Sequence, residues 1–131
     1  MRISSFVRNS ILVSTFVSTL AIVSPFAMAD DSAAVRTIAG ILAELNSAPS
    51  DAAKSQLMAI ENDAATSIDF RIIARAVHDL NQTVASDYRD ELTDIVSDNN
   101  ADPAARELAQ IVMNLDQTAD EATKSRLQAL R

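Results

Sequence analysis

The residues able to do chemistry in this 131-residue chain are few in kind. There is one histidine, His78, and no cysteine. A zinc site needs several nitrogen or sulfur ligands, and a cysteine nucleophile needs its thiol, so neither is expected. His78 stands where the repeat described below has Ala43 and Met113, on the flank of an apolar stripe. It reads as a half-exposed helix residue, with pH sensing as the alternative role. Carboxylates are plentiful: Asp90, Glu91 and Asp94 fall on adjacent turns, and Asp98-Asn99-Asn100-Ala101-Asp102 is an oxygen-rich stretch. That stretch lacks the glycine and the closing glutamate of an EF-hand, so it reads as solvated acidic surface. No metal, cofactor or catalytic residue is expected, and the chain is not read as an enzyme.

Two basic ladders stand out because they recur inside an acidic chain. Arg36, Arg71 and Arg106 form one, and Lys54, Arg89 and Lys124 the other. The arginines lie near the first turns of helices, where the helix dipole disfavours a cation, so something local must compensate. One reading is ion pairing between copies, for instance Arg71 with Asp94 or Asp98. The other is a clamp for the carboxylates of a partner's acidic segment or C-terminus.

The elements that position these residues follow from an internal repeat. Residues 35, 70 and 105, written under one another, align the chain without a gap at a period of 35 residues. Val35-Arg36-Thr37-Ile38-Ala39 matches Phe70-Arg71-Ile72-Ile73-Ala74 and Ala105-Arg106-Glu107-Leu108-Ala109. The register continues through Leu57, Leu92 and Leu127, and through Ile60, Ile95 and Leu130. Positions 35, 38, 39, 42 and 45 of the first copy space apolar residues as one buried helical stripe. A second helix follows with a thinner face: Ala53, Leu57 and Ile60, then Tyr88, Leu92 and Ile95, then Thr123, Leu127 and Leu130. Ser32, Ser67 and Asp102 are placed to cap the first helices, and Thr118-Ala119-Asp120-Glu121 has the form of a capping box. Asn46, Asn81 and Asp116, at the turn within each copy, suit the left-handed conformation that ends a helix without glycine.

The fold predicted is all-α: three tandem hairpins, six helices, at about 32–66, 67–101 and 102–131. The packing predicted is a short solenoid-like stack or a compact closed bundle. The hairpin unit resembles the tetratricopeptide and HEAT-type repeats, on the large-large-small-large spacing of Val35/Phe70/Ala105, Ile38/Ile73/Leu108, Ala39/Ala74/Ala109 and Leu42/Val77/Val112. The second helices depart from that family's pattern, and no proline closes each unit. The resemblance implies a protein- or peptide-binding scaffold.

The first 29 residues have the layout of an export signal. Arg2 and Arg8 precede an apolar run, Ile11–Val23, then Pro25 and the small-residue site Ala27-Met28-Ala29. The 13-residue run would span about 20 Å as a helix, short of a bilayer core of roughly 30 Å. The reading is a signal peptide over 1–29, one domain over 30–131, no stable membrane anchor after cleavage, and a periplasmic or secreted location. Without Arg2 and Arg8 the chain has nine cations against eighteen carboxylates, a net −9 over residues 30–131. Such a charge repels nucleic acid, so none is expected as a partner. The function read from these features is an exported, non-enzymatic protein-interaction module: an adaptor, chaperone or inhibitor. A small-ligand carrier with an apolar cavity between the first helices is the alternative. The last copy ends at Leu127 and Leu130 without a polar cap, which in an open stack would expose an apolar end for a homo-oligomer or partner.

Overall fold

A computed structural model describes residues 31–131; the export signal read over 1–29 lies outside the described residues. The helices are α1 (31–43), α2 (Asp51–Glu61), α3 (Ile68–His78), α4 (Ser86–Ser97), α5 (Pro103–Asn114) and α6 (Glu121–Ala129). The fold class is the one the periodicity predicts, and the repeat maps onto the hairpins α1–α2, α3–α4 and α5–α6. Among the described residues, no helix is long and apolar enough to cross a membrane.

The starts of the helices differ in detail from expectation. Asp102 caps α5 by accepting the Ala104 N–H at 2.8 Å, ahead of Pro103. Ser67 occupies the cap position of α3 without a side-chain capping bond, and its own N–H donates instead to Asp31 Oδ1 at 2.9 Å. Ser32 lies inside α1. In the third copy Asp120, two residues later than the expected box, is the cap and accepts the Thr123 N–H at 2.7 Å. A carboxylate accepts a backbone N–H more strongly than a hydroxyl does, which favours Asp120 over Thr118.

The core is a threefold repetition of the same positions. Ile38, Ile73 and Leu108 are fully buried, as are Ala39, Ala74 and Ala109. Leu42, Val77 and Val112, and Leu57, Leu92 and Leu127 of the second helices, are equally inaccessible. Each alanine lets a neighbouring helix approach, and α3 packs directly on α5. The second helices pack across hairpins. α2 packs on α3 of the next hairpin, and α4 packs more on α5 than on its own partner α3. At the remaining junction the guanidinium of Arg131, just beyond α6, lies over Gly40 of α1. Its Nε, Cζ and Nη2 are 3.8–3.9 Å from where a Cβ at Gly40 would stand.

The three hairpin turns complete the ring. The Ser47 N–H donates to the Gln117 carbonyl at 2.9 Å, Gln117 N–H to the Gln82 carbonyl at 2.8 Å, and Gln82 N–H back to the Ser47 carbonyl at 2.7 Å. Every donor and every acceptor of this triangle comes from a different hairpin, so the hairpins close around a pseudo-threefold axis. Of the two packings the periodicity allows, the closed bundle is therefore the one adopted, and the open stack is not.

Forming the triangle requires left-handed backbone at Ser47, Gln82 and Gln117, with φ of 73°, 67° and 65°. The left-handed residue is thus one position later than Asn46, Asn81 and Asp116. Thr83 N–H donates to the Asn81 carbonyl at 2.8 Å and Thr118 N–H to the Asp116 carbonyl at 2.7 Å, closing γ-turns about Gln82 and Gln117. Such turns are strained. Here the interhairpin bonds and the buried flanking residues Leu45 and Pro49, Leu80 and Val84, and Leu115 and Ala119 hold them.

Candidate functional site

Closing the ring places the arginine ladder at three separate junctions rather than on one face. Arg71 is half-buried, and its Nε donates to the Glu61 carbonyl at the end of α2 at 3.1 Å. That carbonyl, at the negative end of a helix dipole, is the compensation the sequence called for, in place of Asp94 or Asp98. Arg106 carries a buried Nε with no hydrogen-bond partner. Arg36 is exposed and lines a groove within the first hairpin. In the second ladder, Lys124 pairs with Glu121 one turn away at 3.4 Å. Arg89 is exposed, while Lys54 is half-buried with its charge near Asp79 of the next hairpin. The two ladders therefore do not converge into a single clamp.

Leu127 is fully buried and Leu130 packs half-buried against the same core. The apolar end expected of an open stack is covered within the chain, because the third hairpin meets the first.

The groove lies between α1 and α2 and has a volume of about 500 Å³. Its apolar lining includes Ile41, Leu45, Pro49 and Ala53; Thr37, Asn46, Ser50 and Gln56 are polar, and Arg36, Arg131 and Glu44 are charged. Volumes of this order suit small molecules and short peptide segments. The turn positions its floor: Ser50 caps α2 by accepting the Ala53 N–H at 3.2 Å, and Leu45 and Pro49 anchor the chain on either side of Ser47.

Equivalent grooves open in the first and third hairpins, and the same positions carry different residues in each copy. In the third hairpin the groove shrinks to about 240 Å³ and is lined by Asp116, Asp120, Thr123 and Arg126. These stand where the first has Asn46, Ser50, Ala53 and Gln56. In the second hairpin, Tyr88 stands at the position of Ala53, and Asp79 at that of Glu44. The Tyr88 phenol donates to Asp79 Oδ2, and His78 Nδ1 lies 2.7 Å from Asp79 Oδ1. The ring thus occupies in the second hairpin the place that the first leaves open.

This tyrosine–aspartate bond has a spectroscopic consequence. The phenol, followed by the His78 ring, holds the Asp79 carboxyl below the usual carboxylate range. The same bond, with burial second, pushes Tyr88 up to about 12. Folded-state pKa of the phenol is raised, so its contribution to stability is complete below about 10 and is lost as pH rises through about 12. Asp79 acts in the other direction: its contribution is present above the ordinary carboxylate pKa and is lost as pH falls through the lowered value. Tyr88 is the sole tyrosine and there is no tryptophan, so tyrosinate absorbance reports this residue alone. The expected midpoint is about 12, falling toward 10 in Asp79→Asn. A wild-type midpoint near 10 means that the bond does not form in solution.

Elsewhere, a shallow depression of about 180 Å³ is lined by Asp69, Ile72, Glu91, Asp94, Ile95 and Asp98. Burial, with repulsion from Asp98 and Asp102, raises the Asp69 carboxyl above its usual value. Among the described residues no group of three or more histidine, cysteine, aspartate or glutamate side chains is arranged to hold a metal ion. Between the first helices, where the small-ligand reading places a cavity, Ala39, Ala74, Ala76 and Ala109 are fully buried. The grooves open instead between the two helices of a hairpin. Sequence reasoning missed Gly40 and Arg131, although a lone glycine inside a helix, which costs about 1 kcal/mol against alanine, was a usable signal.

Comparison with protein-family models, with curated proteins and with solved structures finds no match to this chain. The described residues define a class by geometry alone: an all-α ring of three helical hairpins closed by a triangle of backbone hydrogen bonds.

Proposed function

We propose that this chain is an exported, non-catalytic interaction module that binds a protein partner by holding a short segment of it between α1 and α2. The observation that carries this reading is the unequal filling of equivalent positions: Tyr88 bridges to Asp79 in the second hairpin, while in the first, with Ala53 and Glu44 there, a groove stays open with a mixed apolar and polar lining. Strain in the hub supports it as well, because left-handed serine and glutamine keep the hairpin turn, and hence the groove mouth, in one geometry. Rigid walls lower the ordering cost of binding. The small-ligand carrier remains the second reading, moved from the core to this groove, since about 500 Å³ also accommodates a compact metabolite.

Selection of displayed random octapeptides on the 31–131 unit, which carries its own core, tests the proposal. The control is Ala53→Tyr, which copies the second hairpin's plug into the first, with Glu44 placed to accept the phenol. Peptides enriched on the wild type and lost on Ala53→Tyr support the groove. Peptides that bind both proteins equally place the interaction elsewhere, and failure to enrich any peptide removes the reading.

A further inference from the structure

The second hairpin shows what the space between the two helices of this unit can hold. There the phenol of Tyr88, on α4, donates to Asp79, the residue that follows α3. One repeat earlier the same two positions carry Ala53 and Glu44, and both line the open groove of the first hairpin. One repeat later they carry Thr123 and Asn114, and both line the smaller third groove. The two positions thus border one space in every copy. The second copy has a carboxylate and a ring, the third has neither, and the first has the carboxylate without the ring.

The neighbours of these positions follow the same pattern. Arg75 lies near enough to Tyr88 for its charge to act on the phenol. Its counterpart in the first hairpin is Gly40, which lines the groove without a side chain of its own. His78 lies against Asp79 in the second copy, whereas Ala43 stands there in the first, so no adjacent imidazole engages Glu44. Glu44 is exposed, and its side chain is one methylene longer than that of Asp79. The groove's volume of about 500 Å³ exceeds that of one phenol ring, which leaves Ile41 and Leu45 for the residues flanking it.

From this internal comparison we infer that the first groove recognises a tyrosine side chain of the partner polypeptide. The ring lies against Ala53 and the hydroxyl donates to Glu44, as Tyr88 does to Asp79 within the chain. An O–H donated to a carboxylate is charge-assisted and stronger than a bond between neutral groups. A site built to accept a hydroxyl rejects the analogue that lacks it. The ring contributes apolar area and the hydroxyl fixes its orientation. Phosphorylation of that tyrosine removes the donor and sets a dianion against Glu44. This inference rests on the proposed function and adds to it the side chain recognised.

The test titrates short peptides, blocked at both ends and differing only in a central tyrosine, phenylalanine or phosphotyrosine, into the 31–131 unit. Binding is read from the NMR signals of the Ala52 and Ala53 methyl groups, which line the groove. Tyrosine is expected to bind about tenfold more tightly than phenylalanine, and phosphotyrosine less tightly than tyrosine. In Glu44→Ala, at an exposed position, the preference for tyrosine is expected to disappear while the phenylalanine peptide binds as before. Ala53→Tyr, which puts the chain's own ring in place, is expected to lose both. Equal affinity for tyrosine and phenylalanine, a preference that survives Glu44→Ala, or tighter binding of phosphotyrosine overturns the phenol receptor. Octapeptides enriched on the wild type and lost on Ala53→Tyr, but sharing no tyrosine, overturn it too and leave the peptide reading standing. Tyrosine binding that Ala53→Tyr leaves intact overturns this inference and the groove together.

Discussion

Replacing Phe70 by alanine is expected to remove about 3–5 kcal/mol of folding stability, read as a lower urea midpoint at unchanged slope. Phe70 is fully buried and is the largest side chain of the core. Around the pseudo-threefold axis its equivalents are Val35 and Ala105, so the three hairpins contribute one large, one intermediate and one small residue at the same level. Packing of this kind is not interchangeable: the ring fills space that neither valine nor alanine reaches, and truncation leaves a cavity that rigid helices close only partly. Loss on this scale is a large fraction of the roughly 5–15 kcal/mol that a domain of this size possesses. Val35→Ala, at a position 9% exposed, should cost visibly less. A loss below about 1 kcal/mol in Phe70→Ala would show that the hairpins close without the ring.

Proline at Gln82 is expected to be comparably damaging, at about 3 kcal/mol or more, while glycine at the same site is neutral or stabilising by up to about 1 kcal/mol. Gln82 has φ of 67°, and its N–H donates to the Ser47 carbonyl at 2.7 Å. Proline fixes φ near −65° and has no N–H, so it removes one side of the hub triangle and forbids the backbone that forms the other two. Glycine keeps the donor and relieves the left-handed strain, at the expense of a more flexible unfolded chain. The same opposition should hold at Ser47 and Gln117. Thermal melts of the paired variants decide the matter: equal destabilisation by proline and glycine would sink the hub as a feature of the folded protein in solution.

Much of the architecture was legible in the sequence because helical burial is a local property. A side chain's neighbours at i+3 and i+4 fix which face is apolar, and Ile38, Ala39 and Leu42 with their equivalents carry that pattern three times over. Leu57, Leu92 and Leu127 likewise show that each second helix has a narrow contact. The turn was half legible. Asn46, Asn81 and Asp116 mark the place, but the left-handed residue follows them, since the interhairpin bonds, and not side-chain preference, select it.

The arginine ladder recurs at one fixed place in each copy, but its members stand at three separate junctions. A period in sequence says that residues are equivalent; it does not say whether they line up along a stack or are spread around a ring. The Arg71–Asp94 or Arg71–Asp98 pairing assumed one geometry, and the Glu61 carbonyl at the end of α2 belongs to the other. Leu127 and Leu130 failed as an exposed edge for the same reason.

The residues that could do chemistry therefore divide into two groups. Their types and spacing, with one histidine, no cysteine, carboxylates scattered over the surface and a basic residue at a fixed place in each repeat, were determined by the sequence alone. So were the helices that carry them, because burial along a helix repeats every few residues. What only the tertiary structure decided is which of those residues share a site: Arg36 and Arg131 line one groove, and Tyr88 bonds Asp79 at the equivalent place in the next hairpin. The physical reason is that ring closure depends on three backbone N–H groups finding three carbonyls more than thirty residues away in sequence. No local pattern of side chains encodes that distance.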